Sequence, residues 1–310
     1  EEKTKKKITK INILKKYKII NMNFSEQFIY NYLLMARRNI DQAVGTDKNT
    51  QIKFNEKIAR KFKSGLSLHY LNQYLEHNIV ENSIKEFVRK NKNKITNNKD
   101  FKNILEANSN QNLDWFFNEL IYSRNKIDYK ITNAKKANDS IEVTIKNMGD
   151  AKVPVSIYGY NNNKLVSKNW VENNTETFKF YVKNDSITKF VLNDNYEIPE
   201  INNNNNSYKL KNRFLGNRKI RFTFFKDIEN AKYNQVFYVP TAEFNLYDGL
   251  LLGIKFNNKS IIDKPFTYDI TPNLSTKTGT IAGYTGITFN HLNRNSNNFS
   301  TKYSIGATHL

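Results

Sequence analysis

The chain has no cysteine, four histidines, five prolines and no long apolar run in its 310 residues. Without cysteine there are no disulfides and no thiolate metal sites. Without about 18 consecutive apolar residues there is no membrane-spanning helix. The first ten residues are charged and no apolar core follows them, so no secretory signal is visible. The chain begins Glu-Glu-Lys-Thr rather than with Met and reads as a fragment. His-Glu-x-x-His, a Gly-rich phosphate loop, a Ser-His-Asp arrangement and a calcium loop are all missing. His69 and His77 are eight residues apart, beyond the i, i+4 spacing that lets one helical face grip a metal. Surface or interfacial packing is expected for His69 and His77; the other two histidines are His291 and His309.

Negative charge is also scarce, with 29 acidic residues against 49 basic ones and a formal charge of +20. The basic residues are mostly Lys and are scattered among Asn and Ile, without the clustered stripe and stacking groups that nucleic-acid binding requires. No nucleic-acid partner is expected. What the chain does have is 38% hydrophobic and 13% aromatic residues, enough to fill ordinary cores in two or three domains.

The apolar residues of 61–124 recur at helical spacing. Leu66, Tyr70 and Tyr74 fall four apart, with Leu71 and Leu75 on the same side. Ile84, Phe87 and Val88 predict a second stripe, and Phe101, Ile104 and Leu105 a third. Leu113, Phe116, Phe117, Leu120 and Ile121 predict a fourth at i, i+3, i+4, i+7, i+8. An earlier helix is predicted over 28–40, with Phe28, Tyr32, Met35 and Ala36 near one face and Arg37 and Arg38 as solvated charge. The Asp114-Trp115-Phe116-Phe117 cluster reads as Trp115 flanking a buried Phe stripe.

From 140 onward the period changes to two. Residues 140–146, 153–158 and 175–182 alternate, turn clusters lie at 147–150 and 161–163, and 186–192 is a further candidate strand. The run of five Asn at 202–206 offers no apolar side chain and predicts a linker. Beyond it, 219–225, 235–244, 249–256, 266–274, 280–290 and 300–308 alternate in longer units. This alternation suits outer-membrane β-barrel strands and equally a soluble sandwich.

Phe62, Lys63, Gly65, Tyr70 and Leu71, then Asp100 and Phe101, then the Asn-Leu-Asp-Trp-Phe-Phe run 112–117 follow one another in an order that resembles the C-terminal part of the catalytic domain of aminopeptidase N-like zinc peptidases, the gluzincins. The chain from about Leu33 to Asn290 resembles the rear of envelope-associated members of Bacteroidetes type, whose barrel-like region opens with a stretch similar to 221–227. The fold this resemblance implies is α+β and multidomain. It comprises the helical end of a thermolysin-like catalytic domain (1–126), a small β-sandwich (127–200), an Asn-rich linker (201–218) and a β-rich region resembling the start of an outer-membrane barrel (219–310).

In function the resemblance implies a fragment or remnant of a zinc-dependent metallopeptidase with aminopeptidase-like activity. The alternative is a non-catalytic envelope binding or assembly protein built on a degenerate peptidase scaffold. In the intact family zinc is the cofactor and peptides are the substrates; the implied location is the cell envelope, periplasm or outer membrane. This chain lacks both the zinc motif and the family's Gly-x-Met-Glu-Asn segment, and is expected to bind no cofactor or metal itself. No catalytic residue is expected either, because Phe62 occupies the position of the family's oxyanion-stabilising Tyr and carries no hydroxyl to donate.

Overall fold

A computed structural model describes residues 17–18, 21–24, 26–76, 78–137, 139–172, 175–183, 186–211, 216–293 and 297–309. Five α-helices come first: α1 Glu26–Ala36, α2 Lys53–Lys57, α3 Ser64–Leu75, α4 Ile79–Lys90 and α5 Asn98–Ser109. Strands follow: β1 Tyr129–Ala137, β2 Ser140–Asn147, β3 Val155–Asn161, β4 Lys164–Val171, β5 Thr177–Val182, β6 Lys189–Leu192 and β7 Ser207–Lys209. The last six are β8 Lys219–Phe224, β9 Tyr233–Asn245, β10 Gly249–Asn257, β11 Phe266–Ser275, β12 Ile281–Leu292 and β13 Ser300–His309. Contacts divide the chain into one unit of Phe28–Tyr32 and Asp41–Asn217, and another of Glu1–Gln27, Leu33–Ile40 and Arg218–Leu310.

In the first unit, helices and two small sheets share one hydrophobic core. Tyr70, Leu71 and Leu75 of α3 enter it from the helical side, where the sequence stripe places them. Sheet β1-β2-β5 contributes Ile141, Val143 and Ile145, and sheet β4-β3-β6-β7 contributes Val155, Ile157, Phe190 and Leu192. Alternation thus puts every second residue of β2 inside, each nearly free of solvent. The Tyr70 hydroxyl donates to the carbonyl of Pro154, tying α3 to the entry of β3. At the other end of the helical block Asn97 and Asp100 form a reciprocal capping box on α5, satisfying orphan N–H groups.

In the second unit the six strands form one sheet in the order β13-β12-β11-β10-β9-β8, antiparallel except for the parallel pair β8 and β9. Its polarity is inverted. Leu250, Leu252 and Ile254 on β10, Ile270 and Leu274 on β11 and Ile287 and Phe289 on β12 are exposed. The alternate positions Asp269, Thr271, Asn273 and Ser275 of β11 are buried. The apolar row continues through paired positions, Phe266 opposite Phe289, Tyr268 opposite Ile287, Phe289 opposite Tyr303 and Ile287 opposite Ile305. Pro272 lies where the β10 to β11 ladder is interrupted between Gly253 and Phe256, as a residue without an N–H requires.

The architecture corrects the expected fold class. Strands hold 39% of the described residues and helices 25%, and three open sheets carry the fold, so the helical end of a thermolysin-like domain is not what forms. The helices are 5 to 12 residues long. Two stretches are wound as π-helix instead of α: Ile58–Lys63, closed by Ser64 N–H donating to the carbonyl of Ala59, and Phe116–Ile121, closed by Tyr122 N–H donating to that of Phe117. The second is the run expected as a fourth α-helix; Phe116, Phe117 and Leu120 are buried there, and the Ile121 carbonyl accepts from the N–H of Gly45. The stripe expected on α4 is largely outside, since Ile84 and Val88 are exposed while Val80 and Ser83 are buried. No closed barrel forms among the described residues, because β8 and β13 are the two edges of an open sheet.

The Asn run is not a bare linker. Asn203–Asn205 is a 3₁₀ turn, and Asn206 is buried with its side-chain amide donating to Glu200 Oε2 at 2.6 Å and to the carbonyl of Leu192 at 3.2 Å. Asn packs here because the site it fills is polar: buried carbonyls and a carboxylate that need donors.

Candidate functional site

Phe62 lies on the first π-helical turn, and its ring is buried edge-on against Phe28 at 5.4 Å between centroids. The same Phe28 ring approaches Gly65 so closely that a Cβ there would stand 2.8 Å from it. Phe62 and Gly65, two residues of the gluzincin-like sequence, therefore form a socket for Phe28. Asp100 and Asn112 have structural duties as well: Asp100 accepts from the N–H of Asn97 at 2.8 Å, and Asn112 Oδ1 accepts from the N–H of Asp114 at 2.8 Å. Trp115 packs on Tyr70 and Tyr74 at 5.3 and 5.4 Å, and Trp170 of β4 completes a four-ring cluster at 5.8 and 5.5 Å from the same two tyrosines.

The next residue on that turn, Lys63, is buried in an ionic cluster that no sequence motif marks. Its ammonium donates to the carbonyl of Ser123 at 3.2 Å and stands 3.9 Å from Asp41, while Lys126 also pairs with Asp41. Asp41 and Lys63 are 1% and 2% exposed. Burial pulls the Lys63 ammonium down to about 8; Lys126 and Arg124 push the same way and Asp41 opposes them. Burial also raises the Tyr32 phenol, with Asp41 adding to the effect. Short-range pairing of this kind is often purely structural. The helix on which it lies is nonetheless the π-wound element that recurs at functional sites in other folds.

A second buried group is Glu200, with no exposed surface. Its Oε1 accepts from the N–H of Tyr129 at 2.8 Å, and its Oε2 from the side-chain amides of Asn193 at 3.0 Å and Asn206 at 2.6 Å. Burial pushes its carboxyl up to about 8 against the pull of these three donors. Neither cluster was foreseeable: Asp41, Lys63 and Lys126 are far apart in sequence, and Glu200 sits in a stretch without periodicity.

The histidines do not converge. His69, His291 and His309 are exposed on α3, β12 and β13, and His77 lies outside the described residues. No three His, Asp or Glu side chains among the described residues are grouped to hold a metal, so they do not fit the zinc of the resembled family. Arg37, expected as solvated charge, is instead paired with Glu229 at 2.5 Å with only 11% of its side chain exposed; Arg38, paired with Asp263 at 2.8 Å, remains at the surface.

No protein family matches the chain, and no curated protein matches it. Among solved structures, the crystal structure of Legionella pneumophila aminopeptidase A in complex with aspartic acid is similar over 57% of this chain, at 15% identity and a TM-score of 0.43. The matched part is 22% of that structure's chain. An aminopeptidase is thus a distant structural neighbour, at a similarity that transfers no residue role.

Proposed function

We propose that this chain is a non-catalytic scaffold of a peptidase-related cell-envelope protein, held in the outer membrane by its six-stranded sheet. The observation that carries the reading is the sorting of charge. All six Lys, Arg, Asp and Glu residues in these strands, Lys219, Arg221, Glu243, Lys255, Asp269 and Lys302, occupy positions of one face by register. The opposite face holds the exposed Leu, Ile and Phe of these strands, with Tyr303; the exposed Tyr284 lies on the charged face. A water-soluble sheet hides its apolar face, whereas a sheet facing lipid presents it and turns polar residues inward. Strands β9 to β13 have 9 to 13 residues, the length that a tilted strand needs to cross a bilayer.

Ile287→Arg on the apolar face tests this against Thr288→Arg on the other. An arginine at the hydrocarbon midplane costs about 2–4 kcal/mol. Flotation with phospholipid vesicles should therefore be lost in the first variant and kept in the second. Equal flotation of both, or a monodisperse monomer in plain buffer, would argue for a soluble sheet.

The resemblance to zinc aminopeptidases supports a scaffold related to those enzymes, acting on peptides and using zinc in the intact family. In this chain the expected hydroxyl donor is replaced by a phenyl ring wedged against Phe28, and such donors contribute about 3–4 kcal/mol to a transition state. Hydrolysis of aminoacyl anilides with added zinc is the measurement; chelator-sensitive turnover with stoichiometric zinc would overturn the non-catalytic part of the reading.

A further inference from the structure

The described sheets end on six edge strands, and five of them are blunted against joining another chain. β7 has three residues, while β5 and β8 have six each, the latter with Lys219 and Arg221. β1 is broken by a register shift between Ile131 and Asn133 and carries Lys130, Lys135 and Lys136. β4 carries Lys164 and Lys168 and faces a shift in β3 between Gly159 and Tyr160. Short length, bulges and edge lysines are the devices that keep an unpaired strand from templating a new one.

β13 lacks these devices. It runs for ten residues with one Lys and no Pro, and pairs with β12 from Gly283 opposite His309 to Leu292 opposite Ser300 without a shift. Among the described residues nothing pairs with its outer edge. Tyr303 and Ile305, the ends of the apolar rows Phe266-Phe289-Tyr303 and Tyr268-Ile287-Ile305, are 64% and 70% exposed there.

We infer that β13 is a dimerisation edge, pairing antiparallel with β13 of a second copy about a two-fold axis at Ser304. The strand is complementary to itself. Residues 300, 302, 304, 306 and 308 share the mostly polar face, and a slip of one residue would carry Lys302 into the apolar row, so only registers that keep the faces together are allowed. With Ser304 on the axis, Tyr303 stands opposite Ile305 of the second copy, and this pair occurs twice. Aromatic and β-branched residues make favourable cross-strand pairs. Lys302 then faces Gly306 of the second copy, so no two charges oppose each other, and both apolar rows continue into the new strand. Moving the axis to Ile305 also keeps the faces, but sets Tyr303 against the smaller Ala307. A two-fold pairing of like edges closes at the dimer, whereas β13 joined to β8 of the next copy would build an open series. The pairing runs through backbone groups and does not rest on the membrane reading.

The chain has no cysteine, so single introduced thiols report the register. Residues paired across antiparallel strands have Cα atoms about 4.5–5.5 Å apart, within disulfide reach. Oxidation in detergent should therefore convert Ser304→Cys to a covalent dimer. Thr301→Cys should stay monomeric, because its two copies would lie about 20 Å apart. The second arm is sedimentation of the full chain in detergent. Wild type should dimerise with a dissociation constant near or below about 10 μM. Ser304→Lys and Ser304→Asp each set like charges opposite one another on the axis, and each should weaken the dimer ~tenfold or more. An equimolar mixture of the two should restore it, which a mere folding defect could not do.

A wild type that stays monomeric at about 100 μM, a series of species beyond the dimer, cross-linking of Thr301→Cys in preference to Ser304→Cys, or charged variants as dimeric as wild type would each overturn the pairing. So would failure of the mixture to recover. Dimers that pass the charge exchange without floating on vesicles keep this inference and sink the membrane reading; flotation of a chain that never dimerises does the reverse.

Discussion

Two β-regions of this chain use the same alternation and end with opposite polarity. In β2 the residues Ile141, Val143 and Ile145 point into a core shared with the helices, each without measurable exposure. In β11 the equivalent apolar positions Phe266, Ile270 and Leu274 point out, at 39%, 45% and 54% exposure, while Thr271, Asn273 and Ser275 are hidden. A period of two states only that a strand has two unlike faces; which one is covered depends on what packs against it. In the first region helices and a second sheet supply apolar partners. In the second, the covered side is mostly polar, with pairs such as Thr241 with Asn273 at 2.9 Å and Lys255 with Asp269 at 3.2 Å, and buries Phe237, Leu251 and Ala282 among them.

The sharpest way to break this comparison is to truncate one phenylalanine in each region. Phe190 of β6 is fully buried and Phe289 of β12 is half exposed. Phe190→Ala should destabilise by about 3–5 kcal/mol through lost burial and a residual cavity. Phe289→Ala should change urea unfolding of detergent-solubilised protein by well under half of that. Equal losses would mean that the outward face of β12 is as tightly packed as a protein core.

Glu200 sharpens the contrast from the side of the buried polar groups. Its carboxyl is near 4.5 in the unfolded chain and about 8 in the folded one, so over that window the folded form holds a proton that the unfolded form has lost. Stability from this group is therefore complete below about pH 4.5, falls as pH rises towards 8, and is level above. At about 1.4 kcal/mol per pKa unit the full loss is roughly 5 kcal/mol. Glu200→Gln should flatten the pH dependence of thermal unfolding between pH 5 and 8, read by the fluorescence of Trp115 and Trp170, both in the first unit. An unchanged slope would place the titration elsewhere. Asn206→Ala should cost less, about 1–3 kcal/mol for taking one amide donor from a buried carboxylate oxygen and a carbonyl, and protease should then cut near Asn204 faster than in the wild type.

The periodic elements were readable in the residues. Alternation over 140–146 and 249–256 matches β2 and β10 closely, and the Leu66, Tyr70 and Leu71 stripe marks α3. What escaped did so for physical reasons. β4 carries Lys164, Ser167, Lys168 and Asn169 on a largely exposed edge and shows little apolar alternation, although Asn162 and Asn163 at φ of 47° and 71° form the tight turn that brings it back along β3. The π-winding of 58–63 and 116–121 leaves no mark in a pattern read at 3.6 residues per turn. The Asn run was misread because composition reports the absence of apolar side chains and is silent about a buried carboxylate awaiting amide donors. Of the candidate site, Phe62 could be singled out by resemblance, but its socket could not, since Phe28 is distant in sequence.

The smallest effect concerns the mostly polar face of the six-stranded sheet and how it is stiffened. Tyr284 of β12 lies across two glycines, Gly286 on its own strand and Gly306 of β13, paired with each other in register. A Cβ on Gly286 would stand 2.1 Å from the Tyr284 hydroxyl oxygen, and one on Gly306 3.0 Å from it. Glycine leaves a bare stretch of backbone that weakens a strand, and an aromatic ring laid over it restores contact and shields the ladder. Tyr284→Ala should then cost about 1 kcal/mol, and Gly286→Ala about as much because the ring must be displaced. The two losses should not add: without the ring, alanine at 286 no longer displaces it and becomes neutral or favourable through its lower unfolded-state entropy. A double-mutant cycle by urea unfolding decides it, and strictly additive losses would mean that Tyr284 does not rest on the glycines.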